Sequence, residues 1–168
     1  MGDLNSWDLD TFALAEASGG QPLFFLGWKI FRGMKDDIEK IGLESTALCS
    51  FLIEIEKGYE DCPYHNSMHA ADAVNSVLYQ LNVLDLKDNL TDVRQYMSVI
   101  LAAIIHDFKH PGLTNPYLIK NQDPRALVFS DSSVLERFHL SEAFQLMKDK
   151  SRRCDIFHRT TMEDYVRD

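Results

Sequence analysis

Apolar residues recur every three and four positions through most of this chain, and that period confines the fold to helices. The pattern is clearest in Val93, Tyr96, Met97, Ile100, Leu101, Ile104 and Ile105. The same spacing occurs in Leu48, Phe51, Leu52, Ile55 and Tyr59, and again in Val74, Val77, Leu78 and Leu81. No segment sustains the two-residue alternation of a half-buried strand. The sequence therefore predicts an all-α helical bundle.

Two further helices are expected from weaker signals. Residues 23–31 form a near-continuous apolar run broken by Gly27, whose length suits a buried helix but is also compatible with a strand. A helix is predicted from about residue 132 to 148, with Asp131 as its N-cap. The breaks between these segments are too short to be linkers, so we expect one domain over residues 1–168.

The end of the chain carries a helix-start signal. Thr160 and Glu163 have the spacing of a capping box, which should begin a helix. Asp168 ends the sequence after barely two further turns, which is marginal for a helix. We therefore expect the sequence to be truncated.

The charge of the chain disfavours two classes of partner. Twenty-six acidic and 17 basic residues give a net charge of −9, which disfavours binding to nucleic acid or to an anionic membrane. No stretch approaches the ~20 apolar residues of a membrane span.

Cys49, Cys62 and Cys154 are widely spaced and lack a Cys-x-x-Cys pair. We interpret them as reduced thiols of a cytoplasmic protein and expect no thiolate zinc site.

The first of two histidine clusters runs from Tyr64 to Asp72. His65 and His69 are four residues apart, so on a helix they share one face about 5–6 Å apart. Asn66 is suited to cap that helix. Asp72 follows His69 by three residues and is suited to orient an imidazole, because ligand histidines usually donate their second nitrogen to a carboxylate or carbonyl.

The second cluster contains His106, Asp107 and His110, and we expect Pro111-Gly112 to end the apolar helix that leads into it. Neighbouring imidazole and carboxylate groups are the ligands that hydrolytic zinc and magnesium sites combine. A single histidine on an apolar face is more often a core residue. Two clusters at matched spacing favour metal binding instead.

These clusters resemble the catalytic domain of the class I cyclic-nucleotide 3′,5′-phosphodiesterases, within the wider HD-domain metallohydrolases. The matching motifs are Pro63-Tyr64-His65-Asn66 with His69-Ala70-Ala71-Asp72, Ile105-His106-Asp107, His110-Pro111-Gly112-Leu113-Thr114-Asn115, and Ser133-Val134-Leu135-Glu136 with His139. The resemblance covers nearly the whole chain. It implies an all-helical fold and the hydrolysis of the 3′ phosphoester of cAMP or cGMP to the 5′-monophosphate.

The resemblance also implies roles for individual residues. His69, His106 and Asp107 would bind a tightly held Zn²⁺, and Asp107 would also bridge to a second ion, Mg²⁺ or Mn²⁺. A hydroxide bridging the metals would attack the phosphorus, and His65 would be the general acid that protonates the leaving 3′ oxygen. The supporting residues would be His110 and Glu136 around metal-bound water and the acid, with Tyr64 and Asn115 shaping the pocket.

The chain departs from the family pattern in two respects. Phe138-His139 occupies a place where the family has two histidines, which either loosens the surroundings of His65 or repacks a helix. A further aspartate ligand, the glutamine that reads the purine and the phenylalanine that clamps it belong to a second half of the domain beyond Asp168. We therefore expect little or no turnover from this polypeptide.

Three alternatives remain open at this stage. Another HD-type phosphohydrolase would act on non-cyclic nucleotides, although Tyr64-His65-Asn66 argues against it. A non-enzymatic fragment would bind metal or a full-length partner, and a helical domain with structural histidines would bind no metal. The sequence leaves the choice between cAMP and cGMP open, and a homodimer through residues 19–37 is an expectation based on apolarity alone.

Overall fold

The computed structural model describes residues 6–84 and 92–156 of the chain. Its helices are α1 (Thr11–Ala17), α2 (Pro22–Gly33), α3 (Lys35–Lys40), α4 (Ser45–Gly58), α5 (Ser67–Val83), α6 (Val93–Ile105), α7 (Asn115–Lys120), α8 (Pro124–Val128) and α9 (Val134–Met147). Within these two ranges there is no strand, and the all-α prediction is confirmed. The apolar run at residues 23–31 lies inside α2 and is helical.

Helices α2, α4, α5 and α6 enclose the main core. Helix α5 packs against α6 and α2, and α2 packs against α4. The fully buried side chains include Leu23, Phe51, Leu52, Ile55, Met97, Ile100, Leu101 and Ile104. Gly27 permits the close approach of α2 and α4, because a Cβ there would lie 3.1 Å from Cδ2 of Leu52. Helix α2 thus connects α4 to the pair formed by α5 and α6.

A smaller apolar cluster joins the three helices that follow α6. It contains Leu118 of α7, Ala126 of α8, and Val134 and Leu135 of α9. The cluster holds the first turn of α9 to α7 and α8, and α9 also contacts α6. Five of the six described non-glycine residues with positive φ lie between the end of α6 and the start of α9: Lys109, Gln122, Ser130, Asp131 and Ser133.

The structure corrects two predicted helix boundaries. Helix α9 begins at Val134 with Ser133 as N-cap, so the prediction of Asp131 as N-cap is wrong. Asp131 instead has φ 58°, in a left-handed turn before the helix. Ser133 makes no side-chain cap, and the Leu135 amide donates to Oδ1 of Asn115 at 2.9 Å. A cap supplied from another helix leaves no local sequence signal.

The second correction concerns the end of α6. This helix ends at Ile105 with His106 as its C-cap, well before Pro111-Gly112, so the predicted end at Pro111 is wrong. Residues 106–109 form a turn instead, and Lys109 has φ 60°. The turn rather than a helix presents the second histidine cluster.

The capping box predicted at Thr160 and Glu163 lies outside the described residues, as does a break that the sequence predicts at residues 85–89. Within the described ranges, no helix has both the length and the apolarity that crossing a membrane requires.

Candidate active site

The two histidine clusters meet because α5 and α6 pack together with the start of one beside the end of the other. The first cluster lies at the N-terminus of α5, where Asn66 caps the helix by accepting from the Met68 and His69 amides at 3.0 and 3.2 Å. The predicted cap at Asn66 is confirmed. Across the interface, Nε2 of His69 lies 3.3 Å from Nε2 of His106.

His69, His106 and Asp107 form a nearly equilateral triangle of ligand atoms. Oδ2 of Asp107 lies 3.4 Å from Nε2 of His69 and 3.3 Å from Nε2 of His106. Their side chains are 21%, 35% and 18% exposed, so the triangle lies at the protein surface without being fully solvated. Two nitrogens and one carboxylate oxygen at this separation could hold a metal ion.

Hydrogen bonds fix the tautomer of His106. Its Nδ1 lies 2.9 Å from the Ala103 carbonyl oxygen. A carbonyl only accepts, so Nδ1 must carry the proton, and in the neutral ring Nε2 is left with a free lone pair. This is the outer contact that ligand histidines use to fix ring orientation.

The triangle has an uneven charge distribution. Although burial opposes the shift, hydrogen bonding to His106 and the neighbouring imidazoles lower the pKa of Asp107 to about 2. Burial also opposes the shift at His106, but its bonds to Asp107 and Ala103 raise its pKa. Burial and the charge of His106 lower the pKa of His69. An ionised carboxylate therefore faces one imidazole that is readily protonated and one that is not.

Three imidazoles are arranged in a stack beside the triangle. The rings of His65 and His110 lie 3.8 Å apart with an interplanar angle of 12°, and His139 lies 5.4 Å beyond His110 at 23°. The Gly112 amide donates to Nδ1 of His110 at 3.0 Å. Burial and the adjacent His65 lower the pKa of His110 to about 4, so the central ring is neutral near pH 7.

Asp107 connects the triangle to the stack through its second oxygen. Oδ1 of Asp107 lies 3.8 Å from Nε2 of His139. Asp107, His110 and His139 form a second group whose ligand atoms lie within 4.8 Å of one another. Asp107 is therefore the residue shared by both groups.

The remaining predicted site residues lie around this centre at different depths. Asn115 donates to Glu136 at 3.0 Å, and the Glu136 backbone amide and Asn115 lower the pKa of Glu136. Tyr64 is 64% exposed, with its ring 4.5 Å from that of His69. Asp72 is exposed and acts on His69 through its charge, which raises the pKa of that histidine against the larger opposing effects.

Sequence reasoning gave no role to several residues at the site. His139 was included in a motif only, yet its Nδ1 lies 2.7 Å from the Phe108 carbonyl and its side chain is 2% exposed. Tyr59 was assigned only to the apolar face of α4, but its hydroxyl donates to the Ile104 carbonyl at 2.9 Å. No short-range pattern connects either residue to the clusters. The contacts of Tyr59 with Ile104 and of His139 with Phe108 form only because α4 and α9 pack against α6.

The Phe138 ring lies beside the histidine stack, with its centre 5.9 Å from that of His139 and the two planes inclined at 59°. The Arg125 guanidinium lies 5.2 Å from the centre of the Phe138 ring, a cation–π distance. The sequence left two interpretations of Phe138 open, a repacked helix or looser surroundings for His65. The contact with Arg125 favours the repacked helix.

A carboxylate-linked histidine site carried by an all-α fold is typical of metal-dependent hydrolases. The family model for the 3′5′-cyclic nucleotide phosphodiesterases matches residues 64–167. The chain belongs to this family.

Individual relatives agree with that assignment. A 3′,5′-cyclic-AMP phosphodiesterase 4C from Mus musculus is 39% identical over 156 residues, covering 92% of this chain and 22% of the relative. A 3′,5′-cyclic-AMP phosphodiesterase 4 from Dictyostelium discoideum is 40% identical over 144 residues, covering 85% and 14%. A dual specificity calcium/calmodulin-dependent 3′,5′-cyclic nucleotide phosphodiesterase 1C from Homo sapiens is 38% identical over 149 residues, covering 88% and 21%. The chain thus spans about a fifth or less of the length of these relatives.

Proposed function

We propose that this site serves the hydrolysis of the 3′ phosphoester bond of a cyclic nucleotide, giving the 5′-monophosphate. The observation that carries the proposal is the triangle of His69, His106 and Asp107 with His65 stacked alongside. We propose cAMP as the first substrate to test, because the mouse and Dictyostelium relatives are named for it. Human phosphodiesterase 1C is named for dual specificity, so cGMP is the second.

The donor set fits Zn²⁺ at the triangle. Tetrahedral ligands at ~2.0–2.1 Å from zinc are separated by about 3.3–3.4 Å. Octahedral ligands around Mg²⁺ at ~2.0–2.1 Å would be only about 2.8–3.0 Å apart. The edges of 3.3 and 3.4 Å support the tetrahedral assignment. We propose that Asp107 also contributes to a second ion, Mg²⁺ or Mn²⁺, because its other oxygen faces away from the triangle toward His139.

Divalent ions supply two things to such a reaction: they neutralise the anionic phosphodiester, and they lower the pKa of water toward ~7. The chain's own residues orient the ligand atoms and supply the negative charge. Nε2 of His106 and Nε2 of His69 would offer their lone pairs to the metal ion, and the Ala103 carbonyl keeps His106 in the required tautomer. Asp107 remains ionised at neutral pH.

We propose that His65 donates the proton that the leaving 3′ oxygen requires. His65 lies at the mouth of α5, half-buried, and stacks on the ring of His110. Because His110 is neutral near pH 7, a proton on His65 meets no second charge from that ring. Tyr64 would cover the site from the solvent side, and Asn115 and Glu136 would hold the first turn of α9 in place.

The test uses one purified sample of the chain for two measurements. We expect close to one zinc per chain by elemental analysis, lost in His106→Ala. We also expect only weak hydrolysis of cAMP or cGMP, in line with the low turnover that the sequence predicts, and its loss in His65→Ala with zinc retained. Zinc without hydrolysis would support the metal site and contradict the hydrolytic function for this polypeptide. A folded sample without zinc would contradict both.

Two finer features of the protein are also proposals. We propose a cytoplasmic location, supported by the free thiols of Cys49, Cys62 and Cys154. We propose a homodimer through residues 19–37, supported by the 42% exposure of Phe25 in α2. Analytical sedimentation of the wild type and of Phe25→Asp tests this proposal. If the dimer forms through residues 19–37, the variant should sediment with a lower mass than the wild type.

A further inference from the structure

The last turn of α4, residues 56–59, contacts both halves of the candidate metal centre without contributing a ligand. Its Tyr59 hydroxyl donates to the Ile104 carbonyl at 2.9 Å and lies within hydrogen-bonding reach of the Asp107 backbone amide. A carbonyl in the last turn of a helix has no partner within the helix. The phenol therefore holds the C-terminal end of α6 at the point where Asp107 leaves it.

Gly58 allows the same turn of α4 to approach Phe108. A Cβ on Gly58 would lie 2.2 Å from Cε2 of the Phe108 ring, closer than any real contact. Phe108 is 2% exposed, it follows Asp107 directly, and its carbonyl lies 2.7 Å from Nδ1 of His139. The absence of a side chain at Gly58 thus lets the turn that bears Asp107 settle against α4.

Glu56 extends the contact to the first cluster. Its Oε2 accepts from the Phe24 amide at 2.7 Å, at the start of α2, where Gln21 provides no side-chain cap. The same carboxylate is hydrogen-bonded by the side chain of Ser67, the first residue of α5. Ser67 lies between His65 and His69, so Glu56 restrains the segment that carries both.

We propose that Glu56, Gly58 and Tyr59 are positioning residues that set the separation of the His69 and Asp107 ligand atoms. They reach the site from one helical turn, so a single rigid element fixes both sides of the triangle. The inference rests on the proposed metal site and adds to it the part of the chain that determines its geometry.

The experiment compares Tyr59→Phe with the wild type, using Co²⁺ as the probe metal. Tyr59→Phe removes one oxygen from a buried ring. We expect about a tenfold loss of Co²⁺ affinity and an altered visible absorption spectrum of the bound ion, as loss of an outer contact typically produces. Tyr96→Phe is the matched control, because Tyr96 is also buried but lies in the first turn of α6, away from His106. Tyr96→Phe should change neither the Co²⁺ affinity nor the absorption spectrum.

Nuclear magnetic resonance of the histidine rings in the metal-free chain provides a second reading. We expect the His106 and His139 ring signals to move in Tyr59→Phe and to stay in place in Tyr96→Phe. Gly58→Ala should move them further, since the Phe108 ring must give way. If Tyr59→Phe does not fold by circular dichroism, Glu56→Gln is measured instead, with the shift expected at His65 and His69.

The outcomes separate this inference from the proposed function. A wild type that binds no Co²⁺ contradicts the metal site, and the ring signals of the metal-free variants then decide the positioning role. Unchanged affinity, spectrum and ring signals in a folded Tyr59→Phe chain would overturn the inference even if the wild type binds metal.

Discussion

The two clusters that form the site are held in different ways. Residues 64–69 are fixed mainly by their own neighbours: Asn66 caps α5 through the Met68 and His69 amides and donates to the Cys62 carbonyl at 2.9 Å. The turn at residues 106–110 is fixed from a distance, by Tyr59 of α4 and by His139 and Glu142 of α9. The first half of the site is thus encoded mainly by local contacts, with Glu56 of α4 as a distant restraint, whereas the second half depends on tertiary packing throughout.

This difference explains where each half should be sensitive. Local hydrogen bonds can form whenever α5 forms, whereas the distant contacts require the packed helices to be in place. We therefore expect substitutions in the second cluster to lower metal affinity more than stability. Substitution of the Asn66 cap in the first cluster should lower the free energy of unfolding directly.

The largest effect is expected at Asp107, the shared residue of the second cluster. Asp107→Asn keeps the shape but removes the charge and the second anionic oxygen, so zinc affinity should fall at least 100-fold in a chelator competition. Asp131→Asn makes the same chemical change at an exposed turn position and should leave affinity unchanged. A modest loss in Asp107→Asn would show that His69 and His106 alone hold the metal.

Acidification should weaken metal binding through the second cluster first. Ligand histidines must be unprotonated, and the raised pKa of His106 means that it gains its proton at higher pH than His69, whose pKa is lowered. Asp107 stays ionised until about pH 2, so it contributes nothing to the loss in this range. Zinc affinity should fall about tenfold per unit once the pH drops below the pKa of His106.

The titration order can be measured directly in the metal-free chain. The C2 proton signals of the two rings, followed from pH 8 to pH 5, should show His106 titrating above His69. The reverse order would contradict the assigned charge distribution, whatever the zinc titration shows.

Removal of the α5 cap should lower stability by a moderate amount. Asn66→Ala leaves the Met68 and His69 amides without their acceptor, which costs about 1 kcal/mol of unfolding free energy in urea. Asn66→Asp keeps the accepting oxygen and loses only the bond to the Cys62 carbonyl, so its loss should be less than half as large. Equal losses would show that the Cys62 anchor, rather than the cap, holds the first cluster.

The smallest effect is expected for the ion pair that joins the second cluster to α9. Nζ of Lys109 lies 2.5 Å from Oε2 of Glu142, and the Lys109 side chain is 40% exposed. A double-mutant cycle with Lys109→Met and Glu142→Gln should give a coupling of about 0.2–1 kcal/mol, the usual range for exposed pairs. A coupling well above this range would make Lys109 a major anchor of the turn.

The sequence allowed α2, α4, α5, α6, α9, the two histidine clusters and the Asn66 cap to be predicted, because each depends on spacings of a few residues. It gave no prediction of α1, α3, α7 or α8. It did not reveal the cap that Asn115 gives α9 or the contacts of Tyr59 and His139, which join residues 20 to 45 positions apart. The end of α6 was misplaced for a related reason. Pro111 is a strong local stop signal, but the chain leaves the helix earlier, where residues 106–109 turn against α4 and α9.

The left-handed residues between α6 and α9 have a consequence for mutational tolerance. Lys109, Gln122, Ser130, Asp131 and Ser133 all adopt positive φ, which disfavours β-branched side chains and suits glycine and asparagine. A library of variants over this segment should accept glycine, asparagine and aspartate at these five positions and reject valine and isoleucine, even where the side chains are exposed. At these five positions, sequence drift is therefore limited by the backbone conformation rather than by burial or chemistry.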